Sequence, residues 1–102
     1  MLGLAQSDAY SQGAACVMYE HVNFGGRAMG LGPDDQVSFR SGQFWNDRVS
    51  SVAVARGCTL IVYEHTRMGG DAREFSRRMR NLDAIGWNDR ISSAECDCRY
   101  GY

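Results

Sequence analysis

Six of seven residues are identical between two segments of this chain, Trp45-Asn46-Asp47-Arg48-Val49-Ser50-Ser51 and Trp87-Asn88-Asp89-Arg90-Ile91-Ser92-Ser93. Each segment gathers oxygen donors: an amide, a carboxylate and two hydroxyls. That mixture suits a hard cation such as Ca²⁺, which takes roughly six to eight oxygens in flexible geometry. A single Asn-Asp followed by Ser-Ser is ordinary turn chemistry. Two copies at matching positions of a repeat point instead to a pair of cation sites. Carboxylates are few in each, which predicts modest affinity, and Arg48 and Arg90 would weaken binding further if they faced the ions.

Other candidate chemistry is thinner. His21 and His65 occupy equivalent positions, but no cluster of Cys or carboxylate joins them at transition-metal spacing, so both are expected on a hairpin surface. There is no Gly-x-Ser-x-Gly elbow, no His-Glu-x-x-His and no phosphate loop, and the expectation is that the chain is not an enzyme. Trp45 and Trp87 are expected in the core. Arg73, Arg77, Arg78 and Arg80 read as a solvated strand edge that discourages edge pairing.

The elements that must position the donors are strands. Tyr19-Glu20-His21 recurs as Tyr63-Glu64-His65, and each is followed at the same distance by a glycine pair, Gly25-Gly26 and Gly69-Gly70. A glycine pair just after an apolar strand suits a hairpin that needs positive φ. Val17-Met18-Tyr19 and Thr59-Leu60-Ile61-Val62-Tyr63 open the two copies. Arg27 to Leu31 and Asp71 to Phe75 return, and Ser51-Val52-Ala53-Val54 closes the first copy with Val52 and Val54 on one face. Gly32-Pro33-Asp34-Asp35 is a turn. Four short strands per copy predict an all-β Greek-key sandwich or barrel. Residues 1 to 14 read as a flexible N-terminal tail and 15 to 102 as one domain, with motif one at about 15 to 56 and motif two at about 57 to 98.

With 102 residues the chain suffices for one compact domain, and a formal net charge of −1 argues against binding nucleic acid, which draws on excess cations. No apolar run reaches the roughly 20 residues of a membrane-spanning helix. Four cysteines, Cys16, Cys58, Cys96 and Cys98, permit two disulfides in an oxidising compartment, although Met1 to Gln6 lacks the basic stretch of a signal sequence. Secretion is favoured over four free, buried thiols. Cys58 and Cys98 would meet if their strands pair antiparallel, leaving Cys16 with Cys96, but three connectivities remain open.

The pattern Tyr19-x₄-Phe24-x-Gly26, followed by a strand pair and a Ser-containing segment, resembles the Greek-key signature of the βγ-crystallins over about residues 16 to 98. The resemblance implies two Greek-key motifs forming a β-sandwich of two four-stranded antiparallel sheets, each taking one strand from the other motif. Met68 stands where the second copy should carry an aromatic, so that hairpin is expected to form with looser packing. Asn46 to Ser51 and Asn88 to Ser93 resemble the family's double-clamp calcium signature. This implies two Ca²⁺ ions in composite sites that draw on both clamps. Carried over, Asp47 and Asp89 give carboxylate oxygens and Ser50 and Ser92 hydroxyls. Asn46 and Asn88 give mainly backbone carbonyls, with a carbonyl near Glu20 or Glu64 completing each shell. Ser51 and Ser93 match the serine that ties the folded hairpin down. The implied function is a calcium-binding module stabilised by its ions. The alternatives are a secreted, disulfide-bonded inhibitor or toxin-like interaction protein and a structural or stress crystallin. The protein partner is not specified.

Overall fold

The computed structural model describes residues 14–99, so most of the expected tail lies outside the described residues. Seven strands run in chain order: β1 Cys16–His21, β2 Gly25–Leu31, β3 Gln36–Ser38, β4 Ser51–Val54, β5 Cys58–His65, β6 Gly69–Phe75 and β7 Ser93–Cys98. They form two antiparallel sheets, β2-β1-β4 and β3-β7-β5-β6. The all-β, two-motif sandwich anticipated from the repeat is therefore present. β3 belongs to the first copy yet pairs with β7 of the second, Val37 lying opposite Ala94.

The reciprocal exchange is shorter. Where a fourth strand would join the first sheet, Met79 makes a one-residue bridge to Val52, with backbone hydrogen bonds of 3.0 and 2.9 Å in the two directions. Beyond the bridge only Leu82 N donates back, to Ser50 O at 2.9 Å, while the carbonyl of Arg80 accepts from the backbone N–H of Asn23 at 2.8 Å. The flanking Arg77, Arg78 and Arg80 are exposed, so their side chains add nothing to the core that would extend the pairing. The first sheet thus holds three strands and a bridge.

Period-two patterning places the core. Met18, Val52 and Val54 from the first sheet face Leu60, Val62, Ala94 and Cys96 from the second, with Leu82, Trp87 and Ile91 closing one end. Each large apolar side chain buried here contributes about 1.5–3 kcal/mol. Trp87 is buried and Trp45 packs half-buried against the same core, as expected. Val17, Tyr19 and Ala53 form a smaller cluster on the outer face of the first sheet, joined by Phe24. Tyr19 meets the Phe24 ring edge-on at 5.6 Å. The disulfides join Cys16 to Cys96 and Cys58 to Cys98. The first ties the two sheets together and the second links directly opposed residues of β5 and β7.

Both hairpins fold back with the same unusual backbone. Asn23 and Phe24 have φ of 59° and 61°, and Arg67 and Met68 have 56° and 58°. Non-glycine residues avoid this region unless the surroundings hold them there. The holding is done by two fully buried serines. Ser51 Oγ donates to His21 O at 2.6 Å and accepts from Phe24 N at 3.0 Å; Ser93 Oγ donates to His65 O at 2.5 Å and accepts from Met68 N at 2.9 Å. The Met68 hairpin is therefore pinned like its partner. Gly26 and Gly70, at φ 76° and 77°, lie against His21 and His65. A Cβ on Gly26 would stand 2.6 Å from the imidazole of His21.

Candidate metal centre

The two oxygen-rich segments sit just before β4 and β7 and cross each other at one end of the sandwich. The backbone N–H of Asp47 donates to Ile91 O at 3.1 Å, and that of Asp89 donates to Val49 O at 3.1 Å. Each serine is fixed by its own motif: Ser50 N donates to Tyr19 O and Ser92 N to Tyr63 O, both at 2.9 Å. Asp47 and Asp89 turn their side chains by adopting φ of 57° and 58°, a left-handed conformation that Asp and Asn tolerate best.

That geometry exchanges the acids. Asp89 Oδ1 of the second segment lies 3.5 Å from Ser50 Oγ of the first, and Asp47 Oδ1 of the first lies 3.2 Å from Ser92 Oγ of the second. Around the first pair, Glu20, Asn46, Asp47, Ser50 and Asp89 line a cavity of about 330 Å³, with Arg48 and His21 at its walls. Two oxygens bound at right angles to one Ca²⁺ at 2.3–2.6 Å stand about 3.4 Å apart, so both carboxylate–hydroxyl pairs fit such an ion. Asn88 Oδ1 is buried without a hydrogen-bond partner, leaving an oxygen of the second segment available to a donor or a cation.

The acids of the hairpins differ. Glu20 Oε1 accepts from Arg27 N at 3.1 Å and lies 3.8 Å from His21 Nε2. Glu64 Oε2 accepts from Arg90 Nη2 at 2.7 Å. The Arg90 guanidinium beside Glu64 holds that carboxyl below the usual carboxylate range, against a smaller opposing effect of desolvation. Arg90 also donates from Nη1 to Gly86 O at 2.8 Å and lies over the Trp87 ring at 4.9 Å. Arg48, at the equivalent place in the first segment, instead stacks 4.7 Å from the centre of the Phe44 ring, whose plane Arg27 also approaches at 4.2 Å. Sequence reasoning missed Phe44. Its signal is the repeat itself, since Phe44 precedes Trp45 where Gly86 precedes Trp87.

His21 and His65 are exposed hairpin residues as expected; Arg73, Arg77, Arg78 and Arg80 are exposed too, but of the expected strand edge only Arg73 lies in a strand, β6. Three cysteine sulfurs, those of Cys58, Cys96 and Cys98, lie within 4.8 Å of one another, but all belong to disulfides. No helix among the described residues is long and apolar enough to cross a membrane.

Two interleaved Greek-key motifs with crossed acid–serine segments define a class of small β-sandwich domains. Residues 12–95 match the family model described as Beta/Gamma crystallin, and the chain belongs to that family. Among solved structures, a βγ-crystallin from an archaeon is 32% identical, covers 80% of this chain and 95% of its own, and superposes with a TM-score of 0.67. A βγ-crystallin domain from Flavobacterium johnsoniae shares the fold at a TM-score of 0.75 and 23% identity, covering 86% of this chain and 99% of its own. One from Clostridium beijerinckii gives 0.70 at 24% identity, covering 81% and 97%. No curated protein matches the sequence significantly. Members of the family often bind calcium.

Proposed function

We propose that this chain is a non-enzymatic calcium-binding module in which two ions, each held by donors from both motifs, fasten the motifs together. The crossed pairing carries the reading: Asp89 meets Ser50 and Asp47 meets Ser92 at separations that fit one ion each. Glu20 and Asn46 line the first site. Glu64, Asn88 and the carbonyls of the second segment serve the other. Residues 15 to 102 are read as one domain, a reading supported by a buried core to which both motifs contribute.

A ligand bound only by the folded state stabilises it by about 2.7 kcal/mol at 100 times its dissociation constant. For a domain of this size that raises the melting temperature by roughly 10–20 °C. Melting in Ca²⁺ against melting in chelator tests the reading, together with a calorimetric titration of wild type, Asp47→Ala and Asp89→Ala. Each substitution should weaken one ion about tenfold or more and its neighbour less. An unchanged melt with no heat of binding would sink it.

The two disulfides favour a second, compatible reading, a secreted or extracytoplasmic interaction protein on the same scaffold, since disulfides persist in oxidising compartments. Alkylation and mass spectrometry of protein taken from its own cells tests it. Four alkylatable thiols before reduction would defeat it.

A further inference from the structure

The two clamps are chemically duplicate but not equivalent. In the second, Arg90 reaches Glu64 Oε2 at 2.7 Å, donates to Gly86 O at 2.8 Å and covers the Trp87 ring at 4.9 Å. In the first, Arg48 borders the cavity at Ser50 and Asp89, but its guanidinium stacks on the Phe44 ring at 4.7 Å and Glu20 takes a backbone N–H.

We propose that Arg90, tethered at Glu64, is a cation that opposes the second calcium ion, so that the site at Ser50 and Asp89 fills first and the site at Ser92 and Asp47 fills later, as Arg90 is displaced. This rests on the calcium reading above. A guanidinium stays charged at any physiological pH. Beside a divalent ion it adds like-charge repulsion, which is costly where solvent screening is partial. Binding of the second ion must therefore either bear that repulsion or displace Arg90 from an acid, a carbonyl and a ring together. The repeat explains why only one clamp does this. Gly86 offers a bare carbonyl where Phe44 offers an aromatic face, and the guanidinium settles accordingly.

The test is a calcium titration of the full chain after chelator treatment, read by calorimetry, and by emission of Trp87 in a Trp45→Phe background. Wild type should show two steps separated by at least about tenfold, and Arg90→Gln should tighten the weaker step by about tenfold with the tighter one little changed. Arg99→Gln makes the same charge change beyond the other end of β7 and should move neither step. Trp87 emission should change with the weaker step, when Arg90 leaves its ring, and this readout needs no Arg90 variant. Two equal steps in wild type, an unmoved weaker step in Arg90→Gln, or emission tied to the tighter step would overturn the inference while leaving calcium binding intact. Absence of binding in every protein would overturn both.

Discussion

The first and second Greek-key motifs share a backbone plan down to individual torsion angles, yet they treat their arginines, their hairpin acids and their exchanged strands differently. Both hairpins are closed by a buried serine that grips a histidine carbonyl and the amide three residues further on. Both clamps present Asp to the opposite Ser. By contrast, motif one contributes a three-residue strand to the other sheet, whereas motif two contributes a single bridge at Met79. Tyr19 packs on Phe24, whereas Tyr63, lacking an aromatic at Met68, sends its hydroxyl to Glu95 at 2.5 Å. That hydrogen bond to a carboxylate, with burial and charge, pushes the Tyr63 pKa up to about 12. The serine pins and the crossed acid–serine pairs, built on residues identical in both copies, have stayed alike, while the features whose neighbouring residues differ between the copies have diverged.

The largest expected effect tests the shared part. Ser51→Ala and Ser93→Ala each leave a part-buried carbonyl and a part-buried amide without their partner, and each should cost about 1–3 kcal/mol in urea unfolding. Similar losses in the two variants would show that the serine pin outweighs the Phe24-to-Met68 difference. A much smaller loss for Ser93→Ala would mean that the second hairpin is held by something else. A smaller effect probes the divergent part: Phe44→Ala removes the ring under Arg48. A stack of this kind at an exposed site is worth about 0.5–1 kcal/mol, so the tighter calcium step should weaken about threefold as Arg48 becomes free to turn further into the cavity it borders. If that step is unmoved, Phe44 does not set the contrast between the clamps.

The smallest expected effect is a pH dependence. Arg90 lowers the pKa of Glu64 in the folded chain. The pair therefore stabilises the fold at pH above the unfolded value, and that contribution is lost as pH falls through the folded value. In chelator, stability of Glu64→Gln should decline less than that of wild type between about pH 5 and pH 3. Parallel declines in urea titrations at several pH values would show that the ion pair adds nothing to the fold.

Much of this protein is legible as a string of residues. The duplicated Trp-Asn-Asp-Arg segment marked the clamps, the Gly-Gly pairs marked the hairpins, and alternation in Ser51–Val54 gave the inward faces of Val52 and Val54, because these signals are local and repeat at matched intervals. The cysteine pairing was reachable only through an assumed strand register, which the alignment of β5 with β7 supplies. Three features were decided by tertiary structure. Which serine meets which aspartate depends on the crossing of segments about 40 residues apart in sequence. The reduction of one swapped strand to a bridge depends on where Met79 meets Val52 and Leu82 meets Ser50 across the two motifs. The opposite fates of Arg48 and Arg90, identical in sequence context from Trp to Arg, depend on which neighbours lie within reach of a long, flexible and always charged side chain. Sequence supplied the donors and their duplication. Packing decided the distances between them, because those distances are set by contacts between parts of the chain that no local pattern brings together.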